Sequence, residues 1–237
     1  MTSRTAPVGI LVIAFAGLIA MGCNAPTHAV FQALLDPAGT AVSTPEPDGA
    51  ADPGTSSGSV TWWAHPDGYH LVLPAGWSGS VVEPDQTAEL VEAVTEAMPA
   101  LGQRVEEVLA SGPTRISAIA IEPSADAAAV VPILVVLAQP TEGRRPHAIK
   151  TEVRERISAL PDLSGPLSMH DVVTPTAKGV RFDYAIDDPD LGVLRVYSYL
   201  FRASRTAYLV SFAAPAAVAA DLEDTFNAIA NSVRFGM

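Results

Sequence analysis

The chain has 237 residues, of which 49% are hydrophobic and 17% are charged. The hydrophobic fraction is large enough to form a substantial core. Its formal net charge is −12, from 14 Lys and Arg residues against 26 Asp and Glu residues. Nucleic-acid binding depends on basic residues that neutralise phosphates, so this balance argues against a nucleic-acid partner. The single cysteine excludes an intramolecular disulfide and a cysteine-based metal cluster.

The N-terminal segment has the pattern of a signal peptide. Arg4 and the initiator amine precede an uncharged apolar run from Val8 to Met21. At about 1.5 Å per residue, a helix of this length spans about 21 Å, which is short of the roughly 30 Å hydrocarbon core of a membrane. A positive start, a short apolar run and a small residue before the cleavage point are typical of export signals. We therefore expect residues 1–22 to be removed.

The segment Ala20–Cys23 resembles the lipobox of bacterial lipoprotein precursors. The resemblance implies that Cys23 receives a diacylglyceryl group and that this lipid anchors the chain to the extracytoplasmic face of the membrane. Gly22 and Cys23 fit the motif, whereas the family favours Leu at position 20 and a small or β-branched residue at position 21. The alternatives are ordinary cleavage after Gly22 and an uncleaved anchor. Ordinary cleavage would leave a free thiol at the mature N-terminus, which favours the lipoprotein.

Residues 23–58 are expected to form the lipidated cysteine and a flexible tether. Proline, glycine, serine and threonine are frequent from position 24 onward, and such a composition cannot bury enough apolar surface to offset the entropy of ordering. About 35 flexible residues have an r.m.s. reach of about 30–35 Å, which would hold a domain off the lipid surface. The exception is Ala29–Leu35, which could form one or two helical turns. A long ordered loop packed on the domain is the alternative.

Residues 59–237 show the periodicities of a single α+β domain. Alternating or continuous apolar runs predict strands, and apolar residues spaced by three and four predict helices. Helices covering a largely antiparallel sheet are expected from the order of these elements. In chain order they are strands Val60–His65 and Tyr69–Leu73, helix Thr87–Ala110 kinked at Pro99, strands Ile116–Ile121 and Val130–Ala138, helix Pro146–Leu160, strands Leu167–Val173, Gly179–Ile186, Val193–Arg202 and Thr206–Ala213, helix Pro215–Ala230 and strand Val233–Phe235.

Both ends of this domain resemble PsbP-like proteins. The segment Gly68–Trp77, GYHLVLPAGW, is similar to the opening strand of that family, and Ser232–Phe235, SVRF, is similar to its closing motif. The resemblance implies a PsbP-like α/β/α sandwich. The superfamily includes photosystem subunits, a nuclear-import factor and bacterial lipoproteins such as the LpqN group. It therefore implies a binding or scaffolding role and specifies no activity.

The sequence lacks the motifs expected of a hydrolase or a nucleotide-binding enzyme. Gly76 and Ser78 begin a nucleophile elbow, but Ser80 stands where that motif needs glycine. No glycine-rich loop joins a predicted strand to a helix, so phosphate and dinucleotide sites are not expected. We predict no catalytic residue and no cofactor.

Metal and anion sites have weak candidates. His65 and His70 flank a predicted hairpin turn and could bind a metal with Asp67. Exposed histidines are the favoured interpretation, and no metal site is predicted. An acidic turn could bind Ca²⁺ and consists of Asp187, Asp188 and Asp190. A basic patch could bind an anion and consists of Arg144, Arg145, Arg154 and Arg156. Both are likewise interpreted as solvated surface.

Aromatic residues provide the best candidate for a partner-binding surface. Trp62, Trp63, Tyr69 and Trp77 occur in one short stretch. Adjacent strand residues point to opposite faces, so one of the first two tryptophans can be exposed, and exposed tryptophan is frequent in binding hot spots. Burial of both rings is the alternative.

These observations favour a non-enzymatic binding or assembly-support lipoprotein of the cell envelope. Its partner would be an envelope protein or a small apolar ligand, in addition to the membrane that holds the lipid on Cys23. The alternative is an envelope hydrolase or metal-assisted enzyme whose site is assembled only in the fold.

Replacing Cys23 with serine is expected to abolish lipid attachment, because the thiol is the group that accepts the lipid in a lipobox. The wild-type chain should incorporate labelled palmitate and sediment with membranes, and Cys23→Ser should incorporate none and keep the precursor size. Thr27→Ser, just inside the tether, serves as the control. A wild-type chain without label, together with an unchanged size and membrane partition of Cys23→Ser, would contradict the lipoprotein.

Overall fold

The computed structural model describes residues 61–65, 68–82, 88, 91–92, 114–122, 132–188 and 192–236. The signal peptide, Cys23, the tether and most of the predicted Thr87–Ala110 helix with Pro99 lie outside these residues. In chain order, the described elements are β1 Thr61–His65, β2 Tyr69–Leu73, β3 Ser78–Val81, β4 Arg115–Ile121, β5 Ile133–Pro140, α1 Pro146–Ser158, β6 Leu163–Val173, β7 Lys178–Asp188, β8 Gly192–Ala203, β9 Thr206–Pro215, α2 Ala216–Ser232 and β10 Arg234–Phe235.

The main sheet has seven strands in the order β3-β4-β5-β9-β8-β7-β6. All its neighbouring strands pair antiparallel. A second sheet of three strands, in the order β1-β2-β10, is also antiparallel. The predicted strands after α1 form the contiguous meander β6 to β9, because short turns favour pairing between consecutive strands.

Helix α1 covers one face of the main sheet. Pro146 begins the helix, where its missing N–H costs no helical hydrogen bond. Ile149, Val153 and Ile157 are buried and belong to one apolar cluster with side chains of β4, β5, β7, β8 and β9. Phe182 of β7 is fully covered in this cluster.

Helix α2 and the three-stranded sheet cover the opposite face. Phe226 of α2 is fully buried and stacks on Phe212 of β9, with ring centroids 4.9 Å apart. Trp77 packs edge-on against Phe226 at 6.2 Å. Leu71 of β2 joins the same cluster. The predicted α+β domain, an α/β/α sandwich with helices covering a largely antiparallel sheet, is therefore confirmed.

The two motifs that resemble PsbP-like proteins meet in space. Strand β10 pairs with β2, so that Phe235 lies opposite Tyr69. The Val72 amide donates a hydrogen bond of 2.8 Å to Ser232 Oγ. The beginning and the end of the domain are thus joined through β2.

Two strands differ from the prediction. Strand β3 was not predicted, because its sequence SGSV contains neither an alternation nor an apolar run. Strand β6 begins at Leu163 instead of Leu167. Gly165 and Pro166 interrupt the strand pattern, and the structure accommodates them in a register shift between Ser164 and Ser168.

Within the described residues, no helix combines the length and the apolar character needed to span a membrane.

Replacing Phe226 with alanine is expected to reduce the free energy of unfolding by about 3–5 kcal/mol, because the variant leaves a cavity among the rings of Trp77, Tyr197 and Phe212. Val218 lies on the same helix and its side chain is 41% exposed, so Val218→Ala should change stability by less than about 0.5 kcal/mol. Urea unfolding followed by circular dichroism checks both values. Equal stabilities of the two variants would contradict this packing of α2.

Candidate functional site

A cleft of about 250 Å³ lies where the first turn of α1 faces the ends of strands β7, β8 and β9. Its floor is apolar and its rim carries cationic side chains. The floor consists of Ile149, Gly179, Val180, Leu200, Phe201 and Ala207, and the rim of Pro146, His147, Lys150, Lys178 and Arg202. The cleft therefore combines an apolar surface with a concentration of positive charge.

Two turns hold the start of α1 above the sheet. The Thr141 amide and its Oγ1 both donate hydrogen bonds to the Arg205 carbonyl oxygen, over 2.7 and 3.0 Å. These bonds join the segment before α1 to the turn between β8 and β9. Gly143, with φ of +78°, supplies the left-handed conformation that redirects the chain into the helix. The cleft is the space left between these fixed elements.

The cations of the rim differ in their partners. Lys150 Nζ lies 3.6 Å from Asp171 Oδ1, and this aspartate is largely exposed. Gly179 pairs with Phe201, so Lys178 and Arg202, each one position beyond this pair, lie opposite each other at the start of β7 and near the end of β8. Within the described part of the chain, neither Lys178 nor Arg202 forms an ion pair.

Apolar surface continues from the cleft onto β6. Val173 pairs with Lys178 and is 69% exposed. Met169 follows the same alternation on this strand and is also exposed. An apolar molecule in the cleft would therefore find further apolar contacts beside it.

The predicted basic patch around α1 is partly neutralised. Arg144 Nη1 donates to Glu152 Oε2 over 2.7 Å, and Arg156 Nη2 donates to the other oxygen of the same carboxylate. Burial and the nearby Arg144 together lower the pKa of Arg156 to about 10, against the attraction of Glu152. Arg145 and Arg154 are exposed. Glu152 therefore holds two of the four arginines in a structural ion pair.

A polar network lies on the opposite face of the sheet, between β7, β8 and α2. Arg181 Nε and Nη2 donate to the two carboxylate oxygens of Asp183 over 2.5 and 2.7 Å. Arg181 also donates to Glu223 and Asn227 of α2, and its guanidinium lies 4.8 Å from the centre of the Tyr197 ring. Burial alone would lower the pKa of Arg181, but the hydrogen bonds to Asp183 and Glu223 raise it. This network joins the helix to the sheet.

A hydroxyl, an imidazole and a carboxylate come close on β6 and β7, as the alternative hydrolase requires. Ser168 pairs with Asp183, and His170 Nε2 lies 3.5 Å from Asp183 Oδ2. Both Asp183 oxygens are already bound by Arg181, and Ser168 and His170 are exposed rather than in the cleft. This arrangement lacks the enclosed pocket and the free carboxylate that a catalytic triad would use.

The structure places two of the four predicted partner-binding aromatics in the core. Tyr69 is 1% exposed and shares a 2.9 Å hydrogen bond with Ser117 Oγ, and Trp77 is 8% exposed. Burial raises the pKa of Tyr69. These two rings pack against the sheet and α2 and offer a partner little surface. Trp62 and Trp63 lie in β1, but their side chains lie outside the described part, so their role stays a prediction, as does that of Cys23.

The structure describes only part of each weak metal candidate. The β1–β2 register pairs His70 with Ala64 and His65 with Tyr69, so the two histidines are not partners across the hairpin. Asp187 and Asp188 end β7, and Asp67 and Asp190 lie outside the described residues. Among the residues described, no group of three or more His, Cys, Asp or Glu side chains could hold a metal ion.

No protein-family model and no curated protein matches the chain. Three solved structures are similar in fold. PsbP (CyanoP) from Synechocystis sp. PCC 6803 is 13% identical, covers 78% of this chain and 98% of its own, and has a TM-score of 0.49. LpqN from Mycobacterium tuberculosis, described as involved in cell envelope biogenesis, is 11% identical, covers 76% and 91%, and has a TM-score of 0.45. PA94 from Pseudomonas aeruginosa, of unknown function, is 15% identical, covers 50% and 80%, and has a TM-score of 0.40.

The first two of these structures belong to the groups that the sequence motifs of β2 and β10 resemble. At such low identity the similarity concerns the fold alone. It implies no common ligand or activity.

Replacing Arg181 with methionine is expected to reduce the free energy of unfolding by about 2–4 kcal/mol, because the buried Asp183 carboxylate loses its bidentate partner. Arg181→Lys should recover less than half of this loss, since one ammonium cannot reproduce the fork of donors. Arg154→Met, on the exposed side of α1, should cost less than about 0.5 kcal/mol. Urea unfolding measures all three; an Arg181→Met variant as stable as Arg154→Met would contradict the network's role.

Proposed function

We propose that this chain is a lipoprotein, held by Cys23 on the extracytoplasmic face of a bacterial cell membrane, whose domain acts by binding a small apolar ligand and not by catalysis. The signal-peptide pattern and the lipobox-like segment Ala20–Cys23 support the location. The observation that carries the binding role is the apolar floor of the cleft, to which Ile149, Val180 and Leu200 contribute.

The apolar floor favours an apolar ligand on energetic grounds. Helices or the three-stranded sheet cover most of β5, β8 and β9, whereas the start of β7 and the end of β8 border an opening. Each methylene group that leaves water for such a surface contributes about 0.8 kcal/mol. The burial of a few methylene groups would thus stabilise the bound state by a free energy of several RT.

The size of the cleft limits the ligand. Its volume of about 250 Å³ lies below the roughly 300–1,000 Å³ typical of sites for drug-sized molecules. A single short hydrocarbon chain fits this volume, and the exposed Val173 beside the cleft could contact a longer one. A bulky or two-chained molecule would remain largely outside.

The lining of the cleft supports binding over hydrolysis. His147 is the one imidazole among the described lining residues, and no Asp, Glu, Ser, Thr or Cys is among them. Hydrolysis by a side-chain nucleophile needs such a group beside a base and a residue that orients the base. The lining therefore offers surface and charge, without a paired nucleophile and base.

The proposed tether suits a binding role near a membrane. With an r.m.s. reach of about 30–35 Å, residues 23–58 would let the domain meet molecules at the lipid surface while it remains in water. The net charge of −12 disfavours lasting contact of the domain with anionic lipid. The lipid on Cys23 would then provide attachment, and the cleft would provide recognition.

The mature chain is expected to bind one molecule of the neutral fluorophore N-phenyl-1-naphthylamine, because an apolar cleft excludes water from the dye. Val180→Trp should fill the cleft and abolish this binding, measured by fluorescence titration. Val193→Trp, at an exposed site at the start of β8, is the matched control and should bind as the wild type does. Circular dichroism verifies that both variants are folded.

Two outcomes would contradict the proposed binding role. One is a wild-type chain that does not bind the fluorophore. The other is equal binding by the folded Val180→Trp and Val193→Trp variants, which would locate the apolar site elsewhere.

A further inference from the structure

We propose further that the ligand of the cleft is a single-chain amphiphile with an anionic head, a carboxylate or a phosphate monoester. This inference rests on the proposed function and specifies its ligand class. The head would lie between Lys178 and Arg202, and the hydrocarbon chain would lie on Val180, Leu200 and Ile149.

The distribution of lysine in the sequence is the first argument. The chain contains two lysines, Lys150 and Lys178, and both line the cleft. Arg202 lines it as well. In a protein with a formal net charge of −12, this concentration of cations around one apolar opening is opposite to the overall charge. It favours an anionic ligand over a neutral or cationic one.

The arrangement of Lys178 and Arg202 is the second argument. They lie opposite each other on neighbouring antiparallel strands, both one position beyond the Gly179–Phe201 pair. Like charges placed side by side repel each other, and the described residues provide neither with a carboxylate partner. An anion between them would replace repulsion by two charge-assisted hydrogen bonds.

Three half-buried arginines elsewhere in the domain differ from Lys178 and Arg202, because each of them has a carboxylate partner within the fold. Arg144 and Arg156 share Glu152, and Arg181 binds Asp183 and Glu223. These cations are neutralised within the fold. The Lys150–Asp171 pair at the cleft is long, at 3.6 Å, and its carboxylate is 87% exposed, so a ligand can compete for this lysine.

The cleft is also polarised along its length. Lys178 and Val180 alternate at the start of β7, as Leu200 and Arg202 do near the end of β8, so on both strands the cation lies nearer the edge of the sheet than the apolar residue. The apolar floor thus continues into a cationic end. This order matches the tail and the head of a single-chain amphiphile.

The test uses the mature chain and isothermal titration calorimetry with four probes: octanoate, octyl phosphate, 1-octanol and inorganic phosphate. The octyl compounds are kept below their critical micelle concentrations. Octanoate and octyl phosphate should bind roughly tenfold tighter than 1-octanol or more, because hydrogen bonds to charged groups stabilise the head. Inorganic phosphate alone should bind far more weakly than octyl phosphate, because it lacks the chain.

The variant Lys178→Gln/Arg202→Gln should bind the anions no better than 1-octanol, with its affinity for 1-octanol unchanged within about twofold. The control Arg154→Gln/Arg195→Gln changes the net charge equally at exposed sites away from the cleft and should keep the preference. Raising the NaCl concentration from about 20 to 200 mM should weaken the binding of octanoate and not that of 1-octanol.

Equal affinities of the wild type for octanoate and 1-octanol would overturn the anionic head, and the proposed binding of an apolar molecule would still stand. Loss of the preference in the control variant as well would refute the role of Lys178 and Arg202. Inorganic phosphate binding as tightly as octyl phosphate would exclude the amphiphile in favour of a free anion. A wild type that binds neither 1-octanol nor the neutral fluorophore would instead refute the proposed function itself.

Discussion

Strands β5, β8 and β9 bury side chains on both of their faces, so the main sheet needs cover on each side. Helix α1 meets this requirement on one face, and α2 with the three-stranded sheet meets it on the other. Because Thr141 ties the start of α1 to the β8–β9 turn at Arg205, the cover ends at a fixed place. The cleft lies at the part of this face that α1 does not cover.

Cationic side chains have different surroundings on the two faces of the sheet. Beneath α2, Arg181 is surrounded by Asp183, Glu223 and Asn227, so its charge serves to attach the helix. At the cleft, Lys178 and Arg202 lie at strand ends beside apolar surface. A cation whose partners are supplied by the fold contributes to stability, whereas one that faces an opening can contribute to recognition.

Sequence periodicity predicted the layers of this domain and could not predict its cleft. Val180, Phe182, Tyr184 and Ile186 alternate in the sequence, and the last three are buried on the α1 side as expected. The cleft depends on Lys178 and Arg202, which become neighbours only through the β7–β8 pairing. Similarly, the contacts of Arg181 with Glu223 and Asn227 of α2 depend on tertiary packing, which the sequence pattern does not contain. The clustered aromatics suggested a surface, but Tyr69 and Trp77 were needed for the core.

Strand β2 lies between β1 and β10, and the hydrogen bond from Val72 to Ser232 spans 160 positions of the chain. A contact so distant in sequence requires a long loop to close, which costs conformational entropy. Because a chain is synthesised from its N-terminus, β1 and β2 exist well before α2 and β10. The three-stranded sheet can therefore be completed only after the last strand of the domain has been synthesised.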